Sequence, residues 1–277
     1  MLDLTDWPAR DRDRIVGVLT DIDDTLTTDG AITADALAAL ASLRAAGIHV
    51  VPITGRPVGW SELFAMQWPV DAIVAENGAV AVVRSGGGAS PHPCPPPEGE
   101  GVMKLYQQDE QVRAANFIRM QQVAQRILRE IPGTVLARDS AGRETDIAID
   151  HSEFAQLPAA RVAEVVRLMQ EEGMNATVSS IHINGWYGVH NKLSGARWIV
   201  RELLGRELDA EIGRWVYVGD STNDVLMFEH FPQSVGVANI CRFEAELTHP
   251  PRYITRGERG AGFAEVARAI LASKLQG

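Results

Sequence analysis

Several side chains able to do chemistry stand where short apolar runs stop. Ile15 to Leu19 is almost wholly apolar and ends in Asp21, Asp23 and Asp24. His49 to Ile53 ends in Thr54-Gly55-Arg56, and Trp215 to Val218 ends in Gly219-Asp220, with Asp224 four residues on. Carboxylates that converge in one crevice repel each other and require a counter-charge. All-oxygen ligands in small number suit Mg²⁺, which keeps waters and accepts substrate phosphate. An aspartate can attack phosphorus, but it meets a phosphate dianion with like charge. Mg²⁺ and one lysine would remove that repulsion and stabilise charge on the transferring group. Lys192, which opens a helical stretch late in the chain, is the candidate lysine.

For these residues to meet, the runs that carry them must lie side by side. Short apolar runs of this kind suit strands buried on both faces. Thr33 to Ala46 reads as a helix, with Thr33 as N-cap, Leu37, Leu40 and Leu43 at helical spacing and Gly47 as its stop. Ala72 to Ala75 is a third buried strand, ending in Glu76-Asn77-Gly78. Strand–helix–strand alternation implies a parallel sheet with helices on both sides, and in such sheets ligands bind beyond the carboxyl ends of the strands. The pattern then breaks. Ser85 to Gly101 is rich in Gly and Pro and reads as an exposed loop. A helix over Asp109 to Glu130, strands over Val135 to Arg138 and Glu144 to Asp150, a helix over Pro158 to Glu171, and strands over Ala176 to Ser180 and Ile181 to Tyr187 follow. Helix–strand–strand thus occurs twice, as in a small α+β unit. Leu193 to Leu204, Trp215 to Val218, Ser234 to Val237 and Ala264 to Leu275 resume the first pattern. The expected fold is α/β: a doubly wound parallel-sheet core of residues 1–83 and 189–277, interrupted by an α+β cap at 84–188.

The chain resembles the haloacid dehalogenase superfamily. Asp21-Ile22-Asp23-Asp24-Thr25-Leu26 is similar to its first motif, DxDx[TV]; Thr54 matches the second, Lys192 the third, and Gly219-Asp220-Ser221-Thr222-Asn223-Asp224 the fourth, GDxxND. The order and spacing agree across essentially the whole core. A cap inserted after the third strand, with Thr-Gly-Arg and Glu-Asn-Gly-Ala signatures, resembles the Cof-like subclass that includes sugar phosphatases. The resemblance implies a phosphatase for a small phosphorylated metabolite, with Mg²⁺ as cofactor. Asp21 would be nucleophile and metal ligand. Asp23 would be general acid and base, with its backbone carbonyl on the metal. Thr54 would hold a phosphoryl oxygen, Asp220 would complete the metal site, and Asn223 and Asp224 would support it. A phosphomutase of the phosphomannomutase type has the same nucleophile, and a catalytically silent sugar-phosphate-binding module is the reading from another class.

Other residues divide between binding and structure. Gly55, Arg56 and Asn77 are candidate substrate contacts, although Arg56 could face solvent and Asn77-Gly78 could be only a tight turn. In the cap, Ser180, His182, Asn184 and Trp186 alternate with Ile181, Ile183 and Tyr187. That polar-aromatic face suits a hydroxyl-rich ligand, so His182, Asn184 and Trp186 are candidates. Glu144, Asp146 and Asp150 alternate with Thr145, Ile147 and Ile149 in the same way. Asp24 and Asp29 read as capping or solvated residues, and His49 as a satisfied core histidine. A formal net charge of −10 argues against nucleic-acid and anionic-membrane partners. No stretch approaches ~18 consecutive apolar residues. The N-terminus lacks the apolar segment of a signal peptide, and the two cysteines, Cys94 and Cys241, make no disulfide scaffold. A cytoplasmic protein is the expectation. Because the metal need follows from the gathered carboxylates, phosphate release from an ester should vanish in EDTA and return with Mg²⁺; full activity in EDTA would contradict it.

Overall fold

The computed structural model describes residues 1–85 and 101–274. The Gly/Pro-rich loop reading, with Cys94, lies largely outside the described residues. The central sheet has six parallel strands in the order Leu2–Asp3, Tyr253–Ile254, Gln233–Gly236, Trp215–Gly219, Gly17–Thr20 and His49–Pro52. Residues alternate between its faces, as the pleat requires. Val18, Val50 and Val216 pack on one side with helices Ala34–Ala45, Val58–Gln67 and Arg259–Lys274; Leu19, Val51 and Tyr217 pack on the other with Lys192–Leu204 and Val225–His230. Apolar residues on both faces explain why these strands read as continuous hydrophobic runs.

The first helix follows its expected bounds, and Thr33 caps it. Its buried stripe runs through Ala36, Ala39, Leu40 and Leu43, while Leu37 is exposed. His49 departs from the core reading. It begins the sheet's edge strand, so its ring is a third exposed, stacks on Trp215 and lies 3.5 Å from the Asp71 carboxylate.

The chain then leaves the sheet through Ile53, bridged to Val74, and strand Ile73–Ala75. This strand pairs with Val80–Ser85, which pairs in turn with Gly101–Tyr106. The hairpin crosses the expected core–cap boundary at 83/84. Val80 and Val82 belong to the same apolar cluster as the core strands, so the core side continues to about residue 106. The separate unit follows it. Helices Glu110–Glu130 and Ala159–Glu171 cover one face of a four-stranded antiparallel sheet, ordered Asn175–Val178, His182–Trp186, Ile147–Asp150 and Val135–Leu136. Ile147, Ile149 and Ile183 pack under the helices with Met120, Ile127 and Leu168. The residues between them, Asp146, Ala148, His182 and Asn184, therefore take the other face.

One close approach sets the site's frame. Helix Lys192–Leu204 crosses the Glu76-Asn77-Gly78 corner with no room for side chains. A Cβ on Gly195 would lie 2.6 Å from the Gly78 Cα, and one on Gly78 would lie 2.2 Å from the Asn191 carbonyl oxygen. Gly78 also has φ +108°, a conformation costly for other residues. Gly195→Ala must push the helix off the corner. Overpacking of this kind costs about 1–3 kcal/mol, so thermal unfolding should begin several degrees lower, as differential scanning calorimetry will show. An unchanged Tm would mean that the crossing is not tight.

Candidate active site

The carboxyl ends of strands Gly17–Thr20 and Trp215–Gly219, adjacent in the sheet, face one crevice. From the first strand the chain runs outward to one side and from the second to the other, which makes this the switch point where ligands bind in open α/β sheets. Asp21, whose amide donates to the Val218 carbonyl at 2.8 Å, lies there beside Asp220 and Asp224. The three carboxylates are buried and offer oxygens within 4.8 Å of one another.

Lys192 answers that charge. It is the first residue of its helix, set by a reciprocal cap in which the Asn191 side chain accepts from the Ser194 amide and the Ser194 hydroxyl from the Asn191 amide. Its Nζ reaches Asp21 Oδ1 at 3.0 Å and Asp224 Oδ1 at 2.7 Å. These two carboxylates hold the buried ammonium above the ordinary lysine range despite its desolvation.

The three carboxylates are not equivalent. Both Asp224 oxygens are spoken for: Oδ1 accepts from Lys192 and from the Tyr217 hydroxyl at 2.5 Å, and Oδ2 from the backbone amides of Asp220 and Ser221 at 3.0 and 3.2 Å. Among the described residues Asp220 receives only neutral side-chain donors, Thr25 at 3.3 Å and Asn239 at 3.1 Å. Burial pushes the Asp21 carboxyl up to about 7, against the pull of Lys192, and burial with its acidic neighbours moves Asp220 the same way. A buried acidic cluster with one cation and excess negative charge fits a divalent cation held by Asp21 and Asp220, with Asp224 fixing the lysine and the strand end.

The second strand brings Thr54, fully buried, whose hydroxyl oxygen accepts from the Arg56 amide at 3.0 Å. Arg56 is not solvent-facing. Its Nε lies 3.0 Å from both Asp23 oxygens, its Nη2 is 3.1 Å from Glu153 and its Nη1 3.5 Å from Asp139. It therefore ties the first motif to the cap. Asp24 pairs with Arg259 at 3.0 Å, and Asp29 is mostly exposed. Asn223 accepts from the Ser221 hydroxyl at 2.9 Å.

Of the cap candidates, Asn184 comes closest to the core loop, donating to the Gly55 carbonyl at 3.3 Å and to Asp146 at 2.9 Å. His182 Nε2 lies 2.9 Å from Glu153, and Trp186 donates to the His190 carbonyl. Their polar atoms are thus engaged within the protein. Arg143, buried, donates to the Gly55 carbonyl and to Asp146 and Asp139. Glu76, fully buried, accepts from the amides of Val58, Glu144 and Thr145 and from the Thr145 hydroxyl. Glu76 and Asn77 both hold positive φ, near +50°, which is costly for non-glycine residues. Arg143, Tyr217 and Asn239 escaped the sequence reading, and Thr25 and Glu76, though they stand within its motifs, received no role there. The alternation of Glu144, Asp146 and Asp150 pointed near the joint but not to its core partner.

Residues 18–114 match the haloacid dehalogenase-like hydrolase family. That match covers about a third of the chain. No curated protein sequence matches it. Among solved structures, a Thermoplasma acidophilum protein superposes with a TM-score of 0.67 at 15% identity, covering 93% of this chain and 98% of that one. The sucrose-phosphatase of Synechocystis sp., solved with sucrose and phosphate, does so with a TM-score of 0.62 at 16% identity, covering 92% and 97%. A sugar phosphatase of subclass IIB gives 0.59 at 15% identity, covering 94% and 98%. The chain shares their fold, a six-stranded parallel core with an inserted antiparallel cap. Among its described residues, no helix is long and apolar enough to cross a membrane.

The raised acids of this protein make its metal-free stability depend on pH. A carboxyl raised in the folded state binds its proton there more tightly than in the unfolded chain, so stability falls as pH rises from the model-peptide value of 3.8 to about 7. Thermal melting of the metal-free protein should therefore drop between pH 5 and pH 8, and Mg²⁺ should raise the Tm more at pH 8 than at pH 5. A Mg²⁺ effect that is the same at both values would remove these carboxylates from the metal site.

Proposed function

We propose that this protein is a Mg²⁺-dependent phosphatase that hydrolyses a phosphorylated sugar or a similar small metabolite through an aspartyl-phosphate on Asp21. One observation carries the reading: a buried lysine bridges Asp21 and Asp224 beside Asp220, at the switch point of the sheet. Phosphoryl transfer needs little covalent chemistry from a protein beyond a placed nucleophile and compensated charge. Lys192 leaves one Asp21 oxygen for attack while neutralising the approach of an anion. Mg²⁺, when bound, supplies further positive charge at the transferring group and favours the ionised form of Asp21.

In the first step an Asp21 oxygen bonds to phosphorus and the bond to the ester oxygen breaks. Asp23 gives that departing oxygen a proton. In the second step Asp23 takes a proton from water, the water oxygen bonds to phosphorus, and the acyl phosphate opens to inorganic phosphate and the Asp21 carboxylate. Thr54 has its hydroxyl proton free for a phosphoryl oxygen, since its oxygen already accepts from Arg56. Asp23 is forked onto Arg56, so it must turn from the guanidinium to serve the leaving group.

Asp21 and Asp23 therefore carry opposite requirements. Asp21→Asn should abolish turnover while leaving the fold intact. Asp23→Asn should be severe for an alkyl or sugar ester and milder in the first step for an acidic phenol, which departs without a proton. With the phenol ester the aspartyl-phosphate should then accumulate, because the base for its hydrolysis is gone. Rapid-quench mass spectrometry will locate the added phosphoryl group. Finding it on a peptide other than that containing Asp21, or normal turnover by Asp21→Asn, would overturn the assignment. Conversion of a hexose 1-phosphate to its 6-phosphate without phosphate release would replace hydrolysis by return of the group to the substrate.

A further inference from the structure

Among the described residues, five that are not glycine hold positive φ. Glu76 and Asn77 form the corner against helix Lys192–Leu204. The other three, Asp24, Asp29 and Arg259, lie at φ +55°, +51° and +54°, and they meet on one guanidinium. Arg259 Nε stands 3.0 Å from Asp24 Oδ1, and its Nη1 3.4 Å from Asp29 Oδ1. Aspartate visits the left-handed region more readily than most residues, because its short side chain can bond locally. Arginine has no such help, so Arg259 is the outlier. A strained backbone persists only where its surroundings over-determine it.

Arg259 opens the last helix, Arg259–Lys274, and its amide donates to Asn239 Oδ1 at 2.9 Å. Asn239 follows strand Gln233–Gly236, on the short helical segment Ala238–Glu246, and is only 2% exposed. Its oxygen is committed to Arg259, so its amide nitrogen turns the other way. That nitrogen donates twice, to the Asp24 carbonyl at 3.0 Å and to Asp220 Oδ2 at 3.1 Å. A ring therefore closes. The Asp24 carboxylate meets the Arg259 side chain, the Arg259 amide meets Asn239, and Asn239 returns to the Asp24 carbonyl. From this ring Asn239 reaches out to Asp220.

Asp220 is held on both of its oxygens. Thr25 donates to Oδ1 at 3.3 Å and Asn239 to Oδ2 at 3.1 Å. Thr25 follows Asp24 directly in the chain, so the ring that pins Asp24 also steadies the turn that carries the other donor. Both donors are neutral. A lysine or arginine in either place would orient the carboxylate too, but it would also cancel the charge that a cation needs. An amide and a hydroxyl fix the orientation and leave the negative charge in place. Carboxylates that ligate metals are commonly steered in this way by hydrogen bonds from behind.

We infer that Asn239 is a positioning residue for the cation site: locked by Asp24 and Arg259, it holds the Asp220 carboxylate in the orientation that receives the ion. The inference rests on the reading of Asp21 and Asp220 as cation ligands and deepens it. It accounts for the strained arginine. A glycine at position 259 would keep the amide that meets Asn239 at no backbone cost, but it would lose the guanidinium that pins Asp24. It also gives Asp24 a part beyond that of a capping or solvated residue, because its carbonyl and its carboxylate are both used by the ring.

The test reads metal affinity rather than turnover. Mg²⁺ is titrated into the whole metal-free protein by calorimetry, and Mn²⁺ by loss of the free ion's paramagnetic resonance signal. The wild type should bind both ions, and Asp220→Asn should bind them far more weakly. Asn239→Leu is similar in size but lacks the amide, and should weaken both about ten- to a hundredfold, the usual effect of losing such an outer hydrogen bond. Arg259→Gly relieves the backbone and removes a positive charge. On charge alone it would tighten cation binding; release of Asp24 predicts the reverse. Asp209→Asn, in an exposed pair with Arg197, should bind as the wild type does. Thermal melts of the metal-free variants establish which are folded, and Arg259→Gly decides the matter if Asn239→Leu is not. Wild-type affinity in Asn239→Leu, or unchanged or tighter binding by Arg259→Gly, would overturn the inference while the loss in Asp220→Asn keeps the cation site. A wild type that binds neither ion, or full affinity in Asp220→Asn, would instead sink the cation reading and this inference with it. Weakened binding in both ring variants upholds the inference whether or not any phosphate ester is hydrolysed.

Discussion

Placing one ammonium between two buried carboxylates is the constraint from which the rest of this structure follows. Asp21, Asp220 and Asp224 share a crevice in which all three are buried, and burial disfavours every one of their charges. Lys192 stands 3.0 Å from the first and 2.7 Å from the third. Breaking a buried pair by removing one partner typically costs 3–5 kcal/mol, because a charge is left uncompensated. The lysine must therefore arrive with little freedom, and the fold supplies this. It begins a helix whose cap is closed reciprocally, and that helix lies against a corner reduced to glycine at Gly78 and Gly195. The strain held at Glu76 and Asn77 is the local cost of letting backbone meet backbone there.

That same corner couples the carboxylate crevice to the cap. Glu76 bridges core and cap, its carboxylate accepting the Val58 amide of a core helix and the amides of Glu144 and Thr145 and the Thr145 hydroxyl just before a cap strand, and Arg143 returns the contact by donating to Gly55. Arg56 joins Asp23 to Glu153 and Asp139 in one fork. The cap is thus anchored by charge-assisted hydrogen bonds to the two loops that carry the second motif and the third strand end. Such bonds are stronger and more directional than surface ion pairs. They fix which face of the cap sheet looks into the crevice, and so which side chains remain free to meet a ligand.

Much of the fold and core site was legible in the sequence, and the reason is local. Buried parallel strands must be apolar on both faces, so each reads as a short hydrophobic run, and the residues that follow them land at one end of the sheet. Asp21, Thr54 and Asp220 could therefore be expected at one end of the sheet from their positions in the chain, whereas Lys192 opens a helix and reaches Asp21 and Asp224 through the fold. Amide and hydroxyl capping at Thr33 and the two helix–strand–strand units of the cap were legible for similar reasons of period and punctuation. The hairpin through Val80–Ser85 and Gly101–Tyr106 was not, since a loop-like composition between its strands masked the pairing, and its assignment to the core depends on what Val80 and Val82 touch.

Residue types and order by themselves determined which reactive groups the chain offers: carboxylates and one threonine just past strand ends, and one lysine that opens a helix. Only the tertiary structure decided how each polar group spends its bonds. His182 and Asn184 alternate on a polar face in the sequence, yet their partners Glu153, Asp146 and Gly55 come from elsewhere in the chain and satisfy them. Asn77, Thr177 and His190, separated by up to 113 positions, carry no shared pattern, yet all three line one cavity, and among the described residues Asn77 Nδ2, Thr177 Oγ1 and the His190 ring nitrogens have no hydrogen-bond partner. The physical reason is that hydrogen bonding is a pairwise property of atoms in space. Periodicity reports which side of an element a residue takes, but whether its donor or acceptor is left over for a ligand is settled only by the neighbours that the fold brings to it.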